Sequence, residues 1–312
     1  MSSSSDFSSA PAVHVNEEVR AALDEHRAVV ALESTIIVQG LPAPINLEVA
    51  DACEAAVRAS GAVPATAGVV AGRAILGLTR HDVEALADPA RGAAKLSARD
   101  LGIATARGAW GATTVAGTIA LAHRAGVAVM ATGGLGGVHQ GASQSFDESA
   151  DLTALSRTPV LVVASGVKSI LDIPATLERL DSLGVPVVGY RTRHFPGFYL
   201  EDSGVEVDWT LEDPDEAAAA FAHHRSFSPT GFLLANPVAP ASALSRDLHD
   251  RALAAAREAA RTEGATGKAV TPVMLAAFAR VTGGGSVATN RDLVVANAAL
   301  AGRVAVALAS LA

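Results

Sequence analysis

Five short apolar runs constrain this chain more than any other feature. AVVAL at 28–32, VAVMA at 127–131, PVLVVA at 159–164, PVVGY at 186–190 and GFLLANP at 231–237 recur along it. None alternates apolar with polar residues. A strand that is apolar on both sides must be covered on both faces, the condition of a parallel sheet between helical layers. Between the runs lie stretches with apolar residues at helical spacing, such as GATTVAGTIALAHRAG and VKSILDIPATLERLDSLG. This alternation predicts an α/β fold: one α/β/α domain with a central mixed, largely parallel sheet. Half the residues are hydrophobic but only 4% are aromatic, so the core is built from Ala, Val and Leu. No Pro- or Ser-rich linker divides the body and no fixed-period repeat appears. Residues 14–312 are therefore expected to form one domain, and residues 1–13, MSSSSDFSSAPAV, a disordered tail.

Local signals fill in the rest. Helices are expected over about 17–26 and 47–59, with a loop at STIIVQGLPAPIN between them. A hairpin is expected at TAGVVAGRAILG with Gly72 in its turn. Thr79 should cap a short helix with Asp82 three positions on. KLSARDLGIATARG reads as an interrupted helix, and 191–208 as irregular. Three helices should close the chain, over about 245–263, 271–280 and 290–311. Thr271 and Pro272 form an N-cap and first-turn pair for the second of these.

Several function classes are disfavoured. The formal net charge is −8 and no Lys/Arg run exists to neutralise a phosphate backbone, so no nucleic acid is expected as partner. The single cysteine, Cys53, allows no internal disulfide and no thiolate metal site. The N-terminus lacks a basic start and an apolar run, so no secretory signal is expected. No apolar stretch is read as long and clean enough to cross a bilayer. The expectation is a soluble cytoplasmic protein acting on a small molecule.

Chemistry enters through an imbalance. Of 24 basic residues only three are lysines: Lys95, Lys168 and Lys268. Lysine differs from arginine in that its amine can lose a proton and act as nucleophile or base. Lys168 follows Gly166 near the expected start of an amphipathic helix, whose dipole would favour the neutral amine. The alternative is a solvated first-turn lysine. Glu33 stands just past an apolar strand and could serve as an acid with a raised pKa, or as an N-cap or ion-pair partner. Gly133, Gly134, Gly136 and Gly137 after a strand are either a phosphate-cradling loop or a place where backbone packs closely. His139, Asp147 and Asp151 follow within one loop and helix start. A carboxylate plus waters there suits Mg²⁺ or Mn²⁺, but helix capping by Asp147 explains the same spacing.

Longer strings narrow these alternatives. ALESTIIVQGLPAPIN, KLSARDL, GATTVAGT, ATGGLGGVHQGA, FDESADL, FPGFYLEDSG, GKAVTPVML and GGGSVATNRDLVVANAALA resemble, in order and over nearly the whole chain, the pseudouridine-5′-phosphate glycosidases. The resemblance implies an α/β/α homotrimer that cleaves the carbon–carbon glycosidic bond of a nucleotide with the help of Mn²⁺ or another divalent cation. It implies Lys168 as the nucleophile at the anomeric carbon and Glu33 as the proton donor. It implies Lys95 at the sugar phosphate, with Val115, Ser149, Ala150 and Asp151 as further substrate contacts. Asp147 matches the metal ligand, and His139 and Asn290 match positions lining the pocket. Gln39, Gln140, Arg191 and Arg193 depart from the residues expected in such relatives. Two other functions stay open: a C-ribosyl synthase joining ribose 5-phosphate to an aromatic acceptor, and a nucleotide-binding protein without catalysis.

Overall fold

The computed structural model describes residues 13–265, 267 and 270–311. All but the last residue of the expected tail, and Lys268, lie outside the described residues. Within them is one mixed sheet of eleven strands covered by helices. The strands are β1 (His14–Val15), β2 (Val29–Leu32), β3 (Val63–Val70), β4 (Arg73–Leu76), β5 (Ala94–Leu96), β6 (Gly111–Thr113), β7 (Val129–Ala131), β8 (Leu161–Ala164), β9 (Val187–Tyr190), β10 (Trp209–Leu211) and β11 (Phe232–Ala235). Their order is β1-β4-β3-β2-β7-β8-β11-β9-β10, with β6 on β3 and β5 on β6. Only β3–β4 and β3–β6 pair antiparallel; the other pairs run parallel. The expected single α/β domain with a largely parallel sheet is what forms.

The five apolar runs are β2, β7, β8, β9 and β11. Every residue of β2, β7, β8 and β11 is buried. Helix Ile45–Ala59 lies against β3, while helix Gly285–Ala309 lies against β2, β7 and β8 and packs on Ile45–Ala59 and Pro214–Phe227. Gly302 permits that contact, since a Cβ there would stand 2.6 Å from the Ser60 side chain. The 25 residues of Gly285–Ala309 are long and apolar enough to cross a membrane, which corrects the sequence expectation. In this fold they form a core helix that buries Leu293, Asn297, Ala301 and Val304.

Several other expectations need correction. KLSARDLGIATARG opens as strand β5, and only Leu101–Ala106 is α-helical. GATTVAGTIALAHRAG opens as β6 before helix Val115–Arg124. The expected loop after Glu33 holds a π-helical turn, Ile36–Gly40. The helix expected from Lys168 starts only at Ile173, capped by Asp172, with Pro174 in its first turn. Proline tolerates that position because the first amides of a helix lack internal partners. Thr271 and Pro272 lie inside helix Val270–Val281 rather than at its cap. The last helix starts at Gly285, so Asn290 sits beyond its first turn. The hairpin through Gly72 and the Thr79–Asp82 capping box form as expected.

Candidate active site

Parallel strands in register end together. Leu32 pairs with Ala131, Ala131 with Val163, and Ala164 with Ala235. The next residues, Glu33, Thr132, Ser165 and Asn236, are all polar and emerge at the same edge. Ligand sites in α/β sheets lie at this carboxyl end of the strands. A cleft opens there. Its walls include all ten residues nominated from the sequence: Glu33, Lys95, Val115, His139, Asp147, Ser149, Ala150, Asp151, Lys168 and Asn290.

Glu33 and Lys168 both line the cleft. Glu33 is buried, with 8% of its surface exposed. Thr132 Oγ1 donates to its Oε1 and Thr35 Oγ1 to its Oε2. Lys168 is half-buried in the loop between β8 and helix Ile173–Ser182, and its Nζ donates to the Gly134 carbonyl. It lies five residues before that helix, so it is not the first-turn residue expected from the sequence. What positions it is main chain: the Leu135 amide donates to Gly166 O at 2.9 Å and the Lys168 amide to Leu135 O at 3.1 Å.

The glycine loop is a packing device. None of Gly133, Gly134, Gly136 and Gly137 has a positive φ. A Cβ on Gly134 would lie 2.5 Å from the Phe198 ring, and one on Gly136 2.3 Å from Ser149 Oγ. The amides of Leu135, Gly136, Val138 and His139 donate to Gly166 O, Asp151 Oδ2, Thr176 Oγ1 and Asp147 O. These four amides are spent inside the protein, and close packing accounts for the glycines at 134 and 136. Asp151, 5% exposed, accepts from Ala116 N and Gly136 N, one on each oxygen. It ties the start of helix Val115–Arg124 to the loop.

Asp147, His139 and Lys95 lie near one another on the cleft wall. The helix after Asp147 is Ala150–Leu155 and its N-cap is Ser149, so the capping role considered for Asp147 is not the one it plays. Its carboxylate lies beside His139, with Oδ2 3.9 Å from Nδ1. Burial holds the His139 pKa below its ordinary value; Asp147 opposes that and the nearby Lys95 ammonium adds to it. His139 therefore stays neutral around pH 7. Lys95 reaches the same wall from β5. Among the described residues no three His, Cys, Asp or Glu side chains gather as a metal cage. A lone carboxylate beside a neutral imidazole fits a hard cation that keeps most of its waters, and does not fit zinc.

Sequence reasoning nominated Asn290 and noted Gln39 only as a departure, and it missed Ser97. Among the described residues Gln39 Oε1, Ser97 Oγ and Asn290 Oδ1 are buried without a partner, and all three residues line the cleft. Buried polar atoms are nearly always paired, so three orphans around one cleft mark where a ligand's polar groups would complete them. Thr35, Thr132 and Asn297 were not singled out either. Their signal was position: Thr132 directly ends an apolar strand, and Asn297 is one of two asparagines seven apart in the final helix. Of the four departures, only Gln39 faces the cleft. Its Nε2 donates to Ala93 O, which fixes Oε1 as the acceptor on offer. Gln140 donates to Leu171 O, and the exposed Arg191 to Glu212 O.

Comparison with known proteins identifies the family. The profile of the indigoidine synthase A like protein family matches residues 18–307. A pseudouridine-5′-phosphate glycosidase of Salinispora tropica is 55% identical over 295 residues, covering 94% of this chain and 91% of the relative. One from Streptomyces griseus is 54% identical, covering 95% and 92%. The crystal structure of the prealnumycin C-glycosynthase AlnA in complex with ribulose 5-phosphate superposes with a TM-score of 0.89 at 39% identity, covering 97% of this chain and 99% of the other. An indigoidine synthase A-like protein from Thermotoga maritima gives 0.87 at 33%, covering 96% and 97%. The chain belongs to the indigoidine synthase A-like family, together with these pseudouridine-5′-phosphate glycosidases.

Proposed function

We propose that this chain is a C-glycosidase that reversibly cleaves pseudouridine 5′-phosphate to uracil and ribose 5-phosphate. One observation carries the proposal: an amine and a carboxyl group, Lys168 and Glu33, line the same cleft as Lys95 and Asp147. An ordinary glycosidase uses two carboxyl groups and expels an oxygen or nitrogen. Here a ring carbon must leave, which asks for covalent help. Lys168 adds to the anomeric carbon as the sugar ring opens, the ring oxygen keeping the electron pair and taking up a proton. Glu33 protonates the uracil carbon. The carbon–carbon bond then breaks, its electron pair restores the uracil double bond, and the nitrogen lone pair forms the iminium. Water hydrolyses the iminium to ribose 5-phosphate and frees the amine.

Lys95 holds the phosphate, with Val115 at the start of its helix and the Ser149–Asp151 segment beside the sugar. His139 and Asn290 complete the pocket. Asp147 would hold Mn²⁺ or Mg²⁺ through water, which supplies positive charge near substrate oxygens. The protein acts in the cytoplasm as a homotrimer; Trp209 and Phe227, 73% and 88% exposed, support burial between subunits. Incubation with pseudouridine 5′-phosphate and Mn²⁺ should release uracil, and unphosphorylated pseudouridine should turn over far more slowly. Absence of uracil release would overturn the assignment. Synthesis onto an aromatic acceptor is the second reading, favoured by the C-glycosynthase neighbour. Relatives at over 50% identity named as glycosidases weigh against it.

A further inference from the structure

The two hydroxyls on Glu33 are not equivalent. Thr132 is fully buried and does not line the cleft, and its side chain has Glu33 Oε1 as its one hydrogen-bond partner among the described residues. Its backbone is fixed on both sides. The Thr132 amide donates to Val163 O at 3.0 Å, and Asn297 Nδ2 donates to Thr132 O at 2.8 Å. Thr35, which donates to Oε2, is half-buried and lines the cleft. A proton on Oε1 would point at the Thr132 hydroxyl and leave that hydroxyl's own hydrogen with nowhere to go. A buried donor without an acceptor costs about 1–3 kcal/mol. A proton on Oε2 costs nothing comparable, because the Thr35 hydroxyl can turn toward the cleft.

We infer that Thr132 is a positioning residue of the reaction: its buried hydroxyl anchors Oε1 of Glu33, so that the transferred proton is carried on Oε2, the oxygen beside Thr35 and the cleft. In the protonated state Thr35 accepts from, or turns away from, the Oε2 hydroxyl. Before the carbon–carbon bond breaks, the proton passes from Oε2 to the departing carbon and the carboxylate keeps the O–H electron pair. Thr35 then turns back to donate to Oε2, while Thr132 donates to Oε1 throughout. This rests on Glu33 being the proton donor of the proposed function.

Thr132→Val removes the hydroxyl at nearly constant shape, and Thr132→Ser keeps it. Each is measured for turnover of pseudouridine 5′-phosphate and for borohydride trapping of ribose 5-phosphate on Lys168, which involves no proton transfer to a leaving carbon. Thr132→Val should lose about tenfold or more in kcat, keep KM within about twofold and trap at close to the wild-type rate, whereas Thr132→Ser should restore most of kcat. Glu33→Gln serves as the reference and should show the same pattern more severely. If Glu33→Gln is inactive and Thr132→Val turns over normally, the positioning role is wrong and the proton donor stands. Turnover lost equally in Thr132→Val and Thr132→Ser, or lost together with trapping, also overturns it. If Glu33→Gln keeps wild-type turnover, the proton-donor assignment itself is wrong.

Discussion

Asn297→Leu should be among the most damaging single changes in this protein, although Asn297 touches no ligand. Its side chain is fully buried on helix Gly285–Ala309. Nδ2 donates to Thr132 O at 2.8 Å and to Ser165 Oγ at 3.1 Å, and Oδ1 accepts from Asn236 Nδ2 at 2.9 Å. One amide thus joins the ends of β7, β8 and β11. Leucine has the same heavy-atom branching with slightly bulkier ends, so the substitution strands three polar groups and opens no cavity. Each stranded buried group costs about 1–3 kcal/mol. Asn236 is only half-buried and water can reach it, so its share is discounted. The remaining two give a loss of about 2–6 kcal/mol. At roughly 2 °C per kcal/mol for a chain of this length, the melting temperature should fall by about 4–12 °C. Urea titration followed by far-UV circular dichroism reads the loss as a lower midpoint at unchanged slope. A midpoint equal to wild type would show that water fills in for the amide and that the strand ends do not depend on it.

Three further outcomes are expected. Lys168→Arg keeps the charge but cannot form the iminium, so it should give no turnover and no borohydride-trapped adduct by mass spectrometry; an active variant would refute the covalent step. Asp147→Ala should abolish stimulation by Mn²⁺, and wild-type activity should fall in excess EDTA; full activity in the chelator would remove the metal from this site. Burial holds the His249 pKa low, its bond to Asp250 opposes this, and Arg246 and Arg257 lower it further. The unfolded chain therefore takes up the proton first as pH falls below about 6.5, and stability present above that pH is lost on the way down. His249→Leu should flatten the fall in melting temperature between pH 7 and pH 5, and an unchanged slope would assign the loss to other groups.

The layers of this fold were legible because they rest on burial. Runs such as PVLVVA admit few other uses, and the core strands they predict formed within a residue or two of their expected bounds. The missed strands, β1, β5, β6 and β10, are two or three residues long, too short to carry a period. Lys168 could be nominated from composition, but its placement was misjudged because an apolar pattern does not show where a helix begins. The start was set by Asp172 as cap with Pro174 behind it. Asp147 was ambiguous for the same reason, and only the cap on Ser149 resolves it. Thr132 and Asn297 were invisible as functional residues, because a threonine at a strand end and an asparagine in an apolar helix acquire meaning only once the chain brings them together.

The cleft joins pieces of the sheet that share little else. Lys95 rides on β5, which reaches the main sheet only through β6 and β3, while Lys168 follows β8 and Asn290 sits on the helix covering the opposite side. Under the proposed binding mode, a sugar phosphate held by these residues would be a removable cross-brace as well as a reactant. At a concentration one hundred times its dissociation constant it would add about 2.7 kcal/mol to the stability of the whole chain. Supply of the metabolite would then govern how long each molecule withstands heat and proteases as well as how fast it works, and a starved cell would lose the protein sooner than a fed one.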